Sequence, residues 1–311
     1  MAMDRIEAMR AFCRIVELGS FHGAADALGL ATTTISGQIQ ALERVLGAKL
    51  LHRTTRKVFP TNEGQAYYLR ARTLIDDIDD LESSISVNRG VARGKVVVEM
   101  PTPVAIHLVI PQLSDFQQQY PEISLEIRCS ERVAGLIQEG VDCAIRGGVI
   151  ADHDLVARAV GHMHFGLYAS SSYLDTHPHI AHPSQLCEHP HLGFHFPATG
   201  KRFPPSLHHA RDTYRLPDSP AWVFNQGGAV TAATVAGLGI AALPQAEVAA
   251  LLQAGVLRPV LDGWTLDSMP MSIVYPPTRQ LSQRVQAMVR WTTALFAADP
   301  LWRPHTTDNP E

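Results

Sequence analysis

The chain has 311 residues, enough for two or three compact units, and its 46% hydrophobic and 18% charged content excludes disordered and membrane-embedded classes. A net charge of −4 excludes a polyanion binder that uses its whole surface. The distribution is uneven: residues 1–61 carry eight Lys/Arg against five Asp/Glu, leaving 18 against 25 elsewhere, as local nucleic-acid contact joined to a separate task requires.

From the N-terminus, Ile6, Met9, Phe12, Cys13 and Val16 recur on one face of a first helix. Phe21, Ala24, Ala25 and Leu28 follow at i, i+3, i+4, i+7 spacing, with Ser20 as N-cap and Gly29 as breaker. Ile35, Ile39, Leu42 and Leu46 mark a third helix, entered through Thr32, Thr33 and Thr34, any of which can cap it. The paired alanines permit a close crossing, and the third helix presents Thr33, Ser36, Gln38 and Gln40, which can hydrogen-bond base edges or phosphates. The candidate DNA contacts of this helix-turn-helix are Ser20, Phe21, His22, Thr32, Thr33, Thr34, Ser36, Gln38 and Gln40. Residues 50–61 read as two short strands about a polar turn, a wing whose Arg53, Arg56 and Lys57 meet phosphates or a minor groove.

The Gly19-Ser20-Phe21-x-x-Ala24-Ala25-x-x-Leu28 run, the Ile35-Ser36-x-Gln38-Ile39-x-x-Leu42-Glu43 run, Leu46-Gly47 and Leu50-x-x-Arg53-x-x-Arg56 together resemble the LysR-type transcriptional regulators. Two stretches depart from that pattern. Gly37 stands where the family usually has arginine, and Ala31-Thr32-Thr33 where Ser-Gln-Pro or Ser-Gln-Ser is common, so the operator sequence is not legible from the head.

Beyond residue 62, Ala71, Leu74, Ile78, Leu81 and Ile85 step by three and four along one seam of a long helix, predicting that it pairs with another chain or packs on its own head. The resemblance implies pairing, because LysR-type proteins dimerise through this helix. Asp76, Asp77, Asp79, Asp80 and Glu82 read as its solvated face, and residues 88–94 as a glycine-punctuated hinge.

The body then alternates: strand 95–100, helix 106–119, strand 123–129, helix 133–139 and strand 142–145, which implies parallel βαβ sheets. Strands at 155–160 and 165–169 precede a Pro- and His-rich, loop-heavy stretch at 171–217. Helix 230–236, strand 239–243, strand 271–275 and helix 281–296 close the chain, so that one lobe uses 90–160 with 267–297 and the other 162–265, joined by two crossings. Pro111-x-Leu113-x-x-Phe116, Tyr120-Pro121, Asp142-x-Ala144-Ile145-Arg146, Leu192-Gly193-Phe194 and Ala236-Gly237-Leu238-Gly239-Ile240-Ala241-x-Leu243-Pro244 resemble the LysR effector domain. That domain is similar to a two-lobed, type 2 periplasmic binding protein. Ile145-Arg146-Gly147-Gly148 and Leu155-Val156-Ala157-Arg158 are similar to its CrgA-like branch. The expected organisation is multidomain α/β. A winged helix-turn-helix (1–61) leads through a dimerisation helix and hinge (62–89) to the effector domain (90–297) and a tail (298–311).

In open α/β lobes, ligands bind beyond the carboxyl ends of strands and against helix N-termini. That rule selects Thr102, Pro103, Ser130, Arg146, Gly147, Asn225, Gln226 and Gly227, with Phe194 and Phe196 as an apolar wall. Similarity to the family supports Thr102, Ser130, Arg146 and Phe194, and makes Arg146 the candidate partner of an effector carboxylate. The alternatives are a structural Arg146 that bridges strand ends and a Thr102 that merely caps a helix.

The histidines between His162 and His209 raise metal binding, but they fall in loops without recurring acidic partners, so surface histidines and no metal site are expected. Gly237-x-Gly239-x-x-Ala242 leaves a helix and opens a strand, the reverse of a dinucleotide fingerprint, and no Gly-x-Ser-x-Gly elbow or phosphate loop occurs. Neither an enzyme nor a resident cofactor is expected. Charges interrupt the first ten residues, which therefore hold no secretory apolar region, and residues 229–244 fall short of the roughly 20 needed to span a membrane. Cys13, Cys129, Cys143 and Cys187 show no Cys-x-x-Cys spacing, so reduced thiols are expected, with Cys129 or Cys143 the candidate for redox sensing. The reading is a cytoplasmic regulator whose partners are double-stranded DNA at an interrupted palindrome, a small-molecule effector, RNA polymerase and its own copies in a homodimer or homotetramer. Its rivals are an architectural DNA-binding protein with a vestigial sensor and a metal-dependent hydrolase that uses the histidine-rich lobe.

Overall fold

Local chemistry sets the ends of the first three helices. Asp4 caps α1 (Arg5–Leu18) by accepting from the amides of Ile6 and Glu7 at 2.9 and 3.2 Å, and the Ser20 hydroxyl caps α2 (Phe21–Leu28) by accepting from Gly23 at 3.2 Å. α1, α2 and α3 (Thr32–Leu46) each stop on a glycine in the left-handed region, Gly19, Gly29 and Gly47, at φ of 63, 65 and 66°. α3 enters through Ala31, which is extended and offers no side-chain cap. The three threonines expected as caps are instead the first three residues of the helix. The computed structural model describes residues 4–53, 58–85, 92–130, 136–150, 155–197, 206–216, 219–277 and 281–304. Their contacts divide them into two units, one from residues 1–92, 135–141 and 279–283 and the other from 93–134, 142–278 and 284–311.

In the first unit, Phe12, Ile15, Ala24, Ala25, Ile35, Ile39 and Leu42 form the helical core. β1 (Leu51–Arg53) and β2 (Val58–Pro60) pair antiparallel, Leu51 opposite Pro60, as the wing; Arg56 and Lys57 lie outside the described residues. α4 (Asn62–Ile85) joins the same core through Ala71 and Ile75, with Tyr67 and Tyr68 packed alongside. This corrects the single-seam reading, because Ala71 faces its own head while Leu74 stands 53% exposed. The helix carries two adjacent stripes, one spent on the head; the side chains of Leu81 and Ile85 and the acidic cluster lie outside the described residues.

The second unit opens with β3 (Gly94–Met100). α5 (Thr102–Val104), a π-type turn (Ala105–Val109), a 3₁₀ turn (Ile110–Gln112) and α6 (Leu113–Gln119) replace the single helix expected there. Pro111 lacks the N–H that a regular ladder needs, which accounts for the change of pitch around it. The chain continues through β4 (Ile123–Cys129), α7 (Leu136–Glu139), which belongs to the first unit, β5 (Cys143–Gly147) and β6 (Val156–Met163). It then crosses to the other lobe through β7 (Phe165–Ser170), α8 (Ser171–Thr176), β8 (His191–Phe194), β9 (Ser206–His209), β10 (Asp212–Arg215), β11 (Trp222–Phe224), α9 (Gly227–Val235), β12 (Ile240–Pro244), α10 (Gln245–Gln253), β13 (Leu257–Pro259) and β14 (Thr265–Leu266). β15 (Met269–Tyr275) and α11 (Gln283–Ala298) return to the first lobe.

The first lobe's sheet runs β4-β3-β5-β15-β6, with β3, β4 and β5 parallel and β15 antiparallel to both its neighbours. The sheet is thus mixed where a parallel one was expected, because its fourth strand arrives from the far end of the chain. The second lobe's sheet runs β11-β8-β12-β7-β13, beside a small antiparallel sheet β10-β9-β14. Among its described residues the 171–217 stretch holds α8 and three four-residue strands, more regular structure than its Pro and His content predicts.

Candidate functional site

On α3, Ile35, Ile39 and Leu42 are buried, which turns Thr33, Thr34, Gly37 and Gln40 outward and leaves Ser36 and Gln38 half-buried. Thr32 and His22 are also exposed, His22 lying 3.6 Å from Asp26. Three candidates serve the head instead of projecting freely. Ser20 caps α2, Phe21 packs on the core, and the side-chain oxygen of Gln38 is buried without a hydrogen-bond partner. Arg53 belongs to β1, though its side chain, like Arg56 and Lys57, falls outside the described residues. What fixes the wing to α3 is a residue the candidate list lacked. Glu43, 5% exposed, accepts from the amides of Leu50 and Leu51 at 3.0 and 3.4 Å and from Lys49 Nζ at 2.8 Å. Burial pushes its carboxyl up, but these donors outweigh that and hold it below the usual carboxylate range. Thr61 completes the joint by donating to the Lys49 carbonyl at 2.7 Å and accepting from the Gly64 amide at 2.9 Å.

Between the two lobes of the second unit lies a cleft that encloses about 120 Å³ within about 860 Å³ of open space, the scale of a small organic molecule. Pro103, Ser130, Arg146, Gly147 and Phe194 line it, together with Phe196 and Gly227. Thr102 and Asn225 do not line it, and Gln226 caps α9 by accepting from the Ala229 amide at 2.7 Å. Thr102 is not a cap either: Pro101 holds that position. Sequence reasoning missed Met163 and Phe165, which flank the first crossing, and Met269 and Met271, which follow the second on β15. The signal was present, since lobe boundaries fell at these crossings and a hinge between lobes is also the floor of the space between them. A β-bulge between Met271 and Ser272 re-aims this strand. Gly147 makes room for the thioethers, because a Cβ there would lie 2.4 Å from Met269 Sδ. Phe194 and Phe196 meet edge to face at 5.2 Å.

Arg146 is the one charged residue among the described lining residues, and it already holds a carboxylate. Its Nη1 donates to Glu99 Oε1 at 2.5 Å, from β5 to the neighbouring β3, with the two residues 7% and 2% exposed. The structure therefore favours the bridging role over that of an unopposed anion receptor.

The histidines divide by environment. His164 and His189 are buried; His189 Nδ1 pairs with the Tyr173 hydroxyl at 2.8 Å, while His177, His179, His182 and His209 are exposed. The other four of the ten, His162, His191, His195 and His208, are half-buried, so the surface expectation meets only four fully exposed histidines. Among the described residues no group of three or more His, Cys, Asp or Glu side chains is arranged to hold a metal ion. Cys129 and Cys187 are exposed free thiols, whereas Cys143 is buried and its thiol pushed far up by desolvation, which makes it a poor redox sensor.

A winged helix-turn-helix joined to a two-lobed, cleft-bearing body defines the class of ligand-responsive transcription regulators. Residues 6–65 match the bacterial regulatory helix-turn-helix of the LysR family and residues 89–297 the LysR substrate binding domain. The chain is 34% identical to an HTH-type transcriptional repressor of Pseudomonas aeruginosa over 96% of its own length and 94% of that protein. It is 30% identical to the solved structure of CrgA from Neisseria meningitidis, covering 93% of this chain and 97% of that one at a TM-score of 0.58. Full-length AphB, a virulence activator of Vibrio cholerae, is 26% identical over 94% and 99%, with a TM-score of 0.57. The chain belongs to the LysR family and is a DNA-binding transcription regulator with an effector-binding domain. That family consists of regulators, and no helix among the described residues is long and apolar enough to cross a membrane.

Proposed function

We propose that the protein acts in the cytoplasm as a homodimer or homotetramer that reads an interrupted palindrome. In this reading Thr32, Thr33, Thr34, Ser36 and Gln40 face base edges and phosphates, while Arg53, Arg56 and Lys57 of the wing track the backbone. A small molecule in the cleft of the second unit alters lobe closure, the spacing of paired heads and thereby contact with RNA polymerase. The observation that carries the DNA role is the outward polar face of α3 opposite buried Ile35 and Ile39. The experiment is a footprint on DNA flanking the protein's own gene across a salt series. A protected, partly palindromic site whose affinity falls steeply with salt is expected. Absence of binding at low salt refutes the DNA role, and a footprint and bend indifferent to every saturating cleft ligand refutes the coupling.

A further inference from the structure

We propose that the C-terminal segment 299–303 is a strap on the hinge of the second unit, and that its hydrogen bond to His164 sets the resting angle of the two lobes. This rests on the lobes moving about their two crossings, as proposed for the effector response.

The segment has a defined structure of its own. Asp299 accepts from the Leu301 amide at 2.9 Å and opens a 3₁₀ turn (Pro300–Trp302). Arg303 then folds back on α11 and donates to the carbonyls of Ala297 and Ala298 at 2.7 and 3.0 Å, in the last turn, where a helix runs out of donors of its own. Trp302, 1% exposed, meets Phe296 edge to face at 5.4 Å. Gly161 of β6 lets the turn lie down on the sheet, since a Cβ there would stand 2.4 Å from the Trp302 carbonyl oxygen.

The strap ends at the hinge. His164 is the residue between β6 and β7, at the first crossing. Its backbone carbonyl accepts at 2.9 Å from the amide of Gln245, the first residue of α10, which ties it to the second lobe. Its ring, in a residue 4% exposed, bonds the Arg303 carbonyl at 2.6 Å through Nε2; a carbonyl only accepts, so Nε2 carries the proton. One hinge residue therefore holds the second lobe by its backbone and the C-terminal end of the first lobe by its side chain. The second crossing is tied in as well. His162 Nδ1 lies 2.9 Å from Ser268 Oγ, and Asp267 accepts from the Ser206 amide at 3.3 Å and pairs with His208 Nε2 at 2.7 Å. Hinge motions are absorbed by dihedral changes in a few such residues. Rotation about the first crossing moves the His164 ring relative to α11, which stretches the 2.6 Å bond or lifts the strap from Gly161. The strap thus enters the free-energy gap between lobe arrangements and tunes how readily the cleft closes.

The test follows the lobe angle in the full-length protein by single-molecule energy transfer between dyes at Gln118→Cys on α6 and Gln253→Cys at the end of α10, both exposed positions. Cys129→Ser and Cys187→Ser remove the exposed thiols, and an excess of undyed protein keeps each dye pair within one chain. This parent is expected to show one dominant population. Deletion of 299–311 and His164→Leu are each expected to enlarge a second population about fivefold over its share in the parent, whereas His164→Gln, whose amide donates from near the Nε2 position, keeps the parent distribution. If the deletion fails to fold, the comparison of Leu with Gln at position 164 decides. A second population of equal share in every variant overturns the strap while leaving the lobe motion. One narrow population in every variant overturns the motion and the strap with it. A Gln variant that shifts as far as the Leu variant overturns the role of the His164 hydrogen bond.

Discussion

Glu43 offers the sharpest test of how the head is held together. Its carboxylate lies within the joint between recognition helix and wing, and its three donors differ greatly in worth. The Leu50 amide at 3.0 Å is a charge-assisted bond to a buried group, worth about 1.5–3 kcal/mol, whereas the Leu51 amide at 3.4 Å is long and weak. The Lys49 side chain is 79% exposed, so its ion pair contributes about 1 kcal/mol at most. Replacing Glu43 by Leu strands the amides and is expected to cost about 3 kcal/mol, while Glu43→Gln keeps a carbonyl acceptor and loses about 1 kcal/mol. All four tryptophans, at 222, 264, 291 and 302, lie far along the chain from the head, so their fluorescence is the wrong probe. Hydrogen exchange of the Leu50 and Leu51 amides reads the joint directly, with DNA affinity as the functional measure. The same group predicts acid sensitivity. Its folded pKa is depressed, so its contribution is full above the ordinary value of 4.5 and is lost as pH falls through the folded value. Equal exchange rates in wild type and Glu43→Leu would refute the joint. Equal losses in Gln and Leu variants would show that the charge, not the acceptor geometry, is what matters.

Four further outcomes are expected. Gly37→Ala meets nothing within 4 Å and replaces a helix-interior glycine, so the head gains about 1 kcal/mol, read as a higher melting temperature. Gly64→Ala puts a Cβ 1.9 Å from the Leu50 carbonyl oxygen, a backbone atom that cannot step aside, and costs about 1–3 kcal/mol in the same melt. Desolvation pushes the imidazoles of His189 and His191 below their ordinary 6.5; a depressed folded pKa gives stability that is full above 6.5 and declines as pH drops below it, visible in Trp264 fluorescence melts and reduced in His191→Gln. Arg56→Ala lowers the slope of log affinity against log salt by about 0.9 and weakens all sites alike, whereas Gln40→Ala changes site preference with the slope unaltered.

What was legible in the sequence follows periodicity and punctuation. The Gly29 stop, the Ser20 cap and the buried faces of the head helices follow spacings that one chain exposes to inspection, whereas the Gly19 and Gly47 stops came only with the structure. The mixed first sheet was not legible, because strand direction depends on which distant segment fills the gap, and β15 reaches β5 from more than a hundred residues away. Of the cleft, the strand-end residues Ser130, Arg146 and Gly147 were legible from the α/β rule, while Met163, Met269 and Met271 were hidden as ordinary apolar residues of strands.

The two residues that most alter the functional reading, Glu43 and Glu99, were invisible as sites for a common reason. A buried carboxylate is a costly choice that only its partners justify. Those partners lie seven and eight residues on for Glu43, across a change from helix to strand, and 47 residues on for Glu99. No periodicity links them. Each carboxylate fixes a neighbouring element in place: Glu43 holds the wing against the recognition helix, and Glu99 holds Arg146 at the cleft with its charge already answered. A reading that stops at the residues facing outward credits DNA and effector contact to Arg56 and Arg146 alone. The geometry assigns the pose of the wing and the charge of the cleft to the two acids behind them.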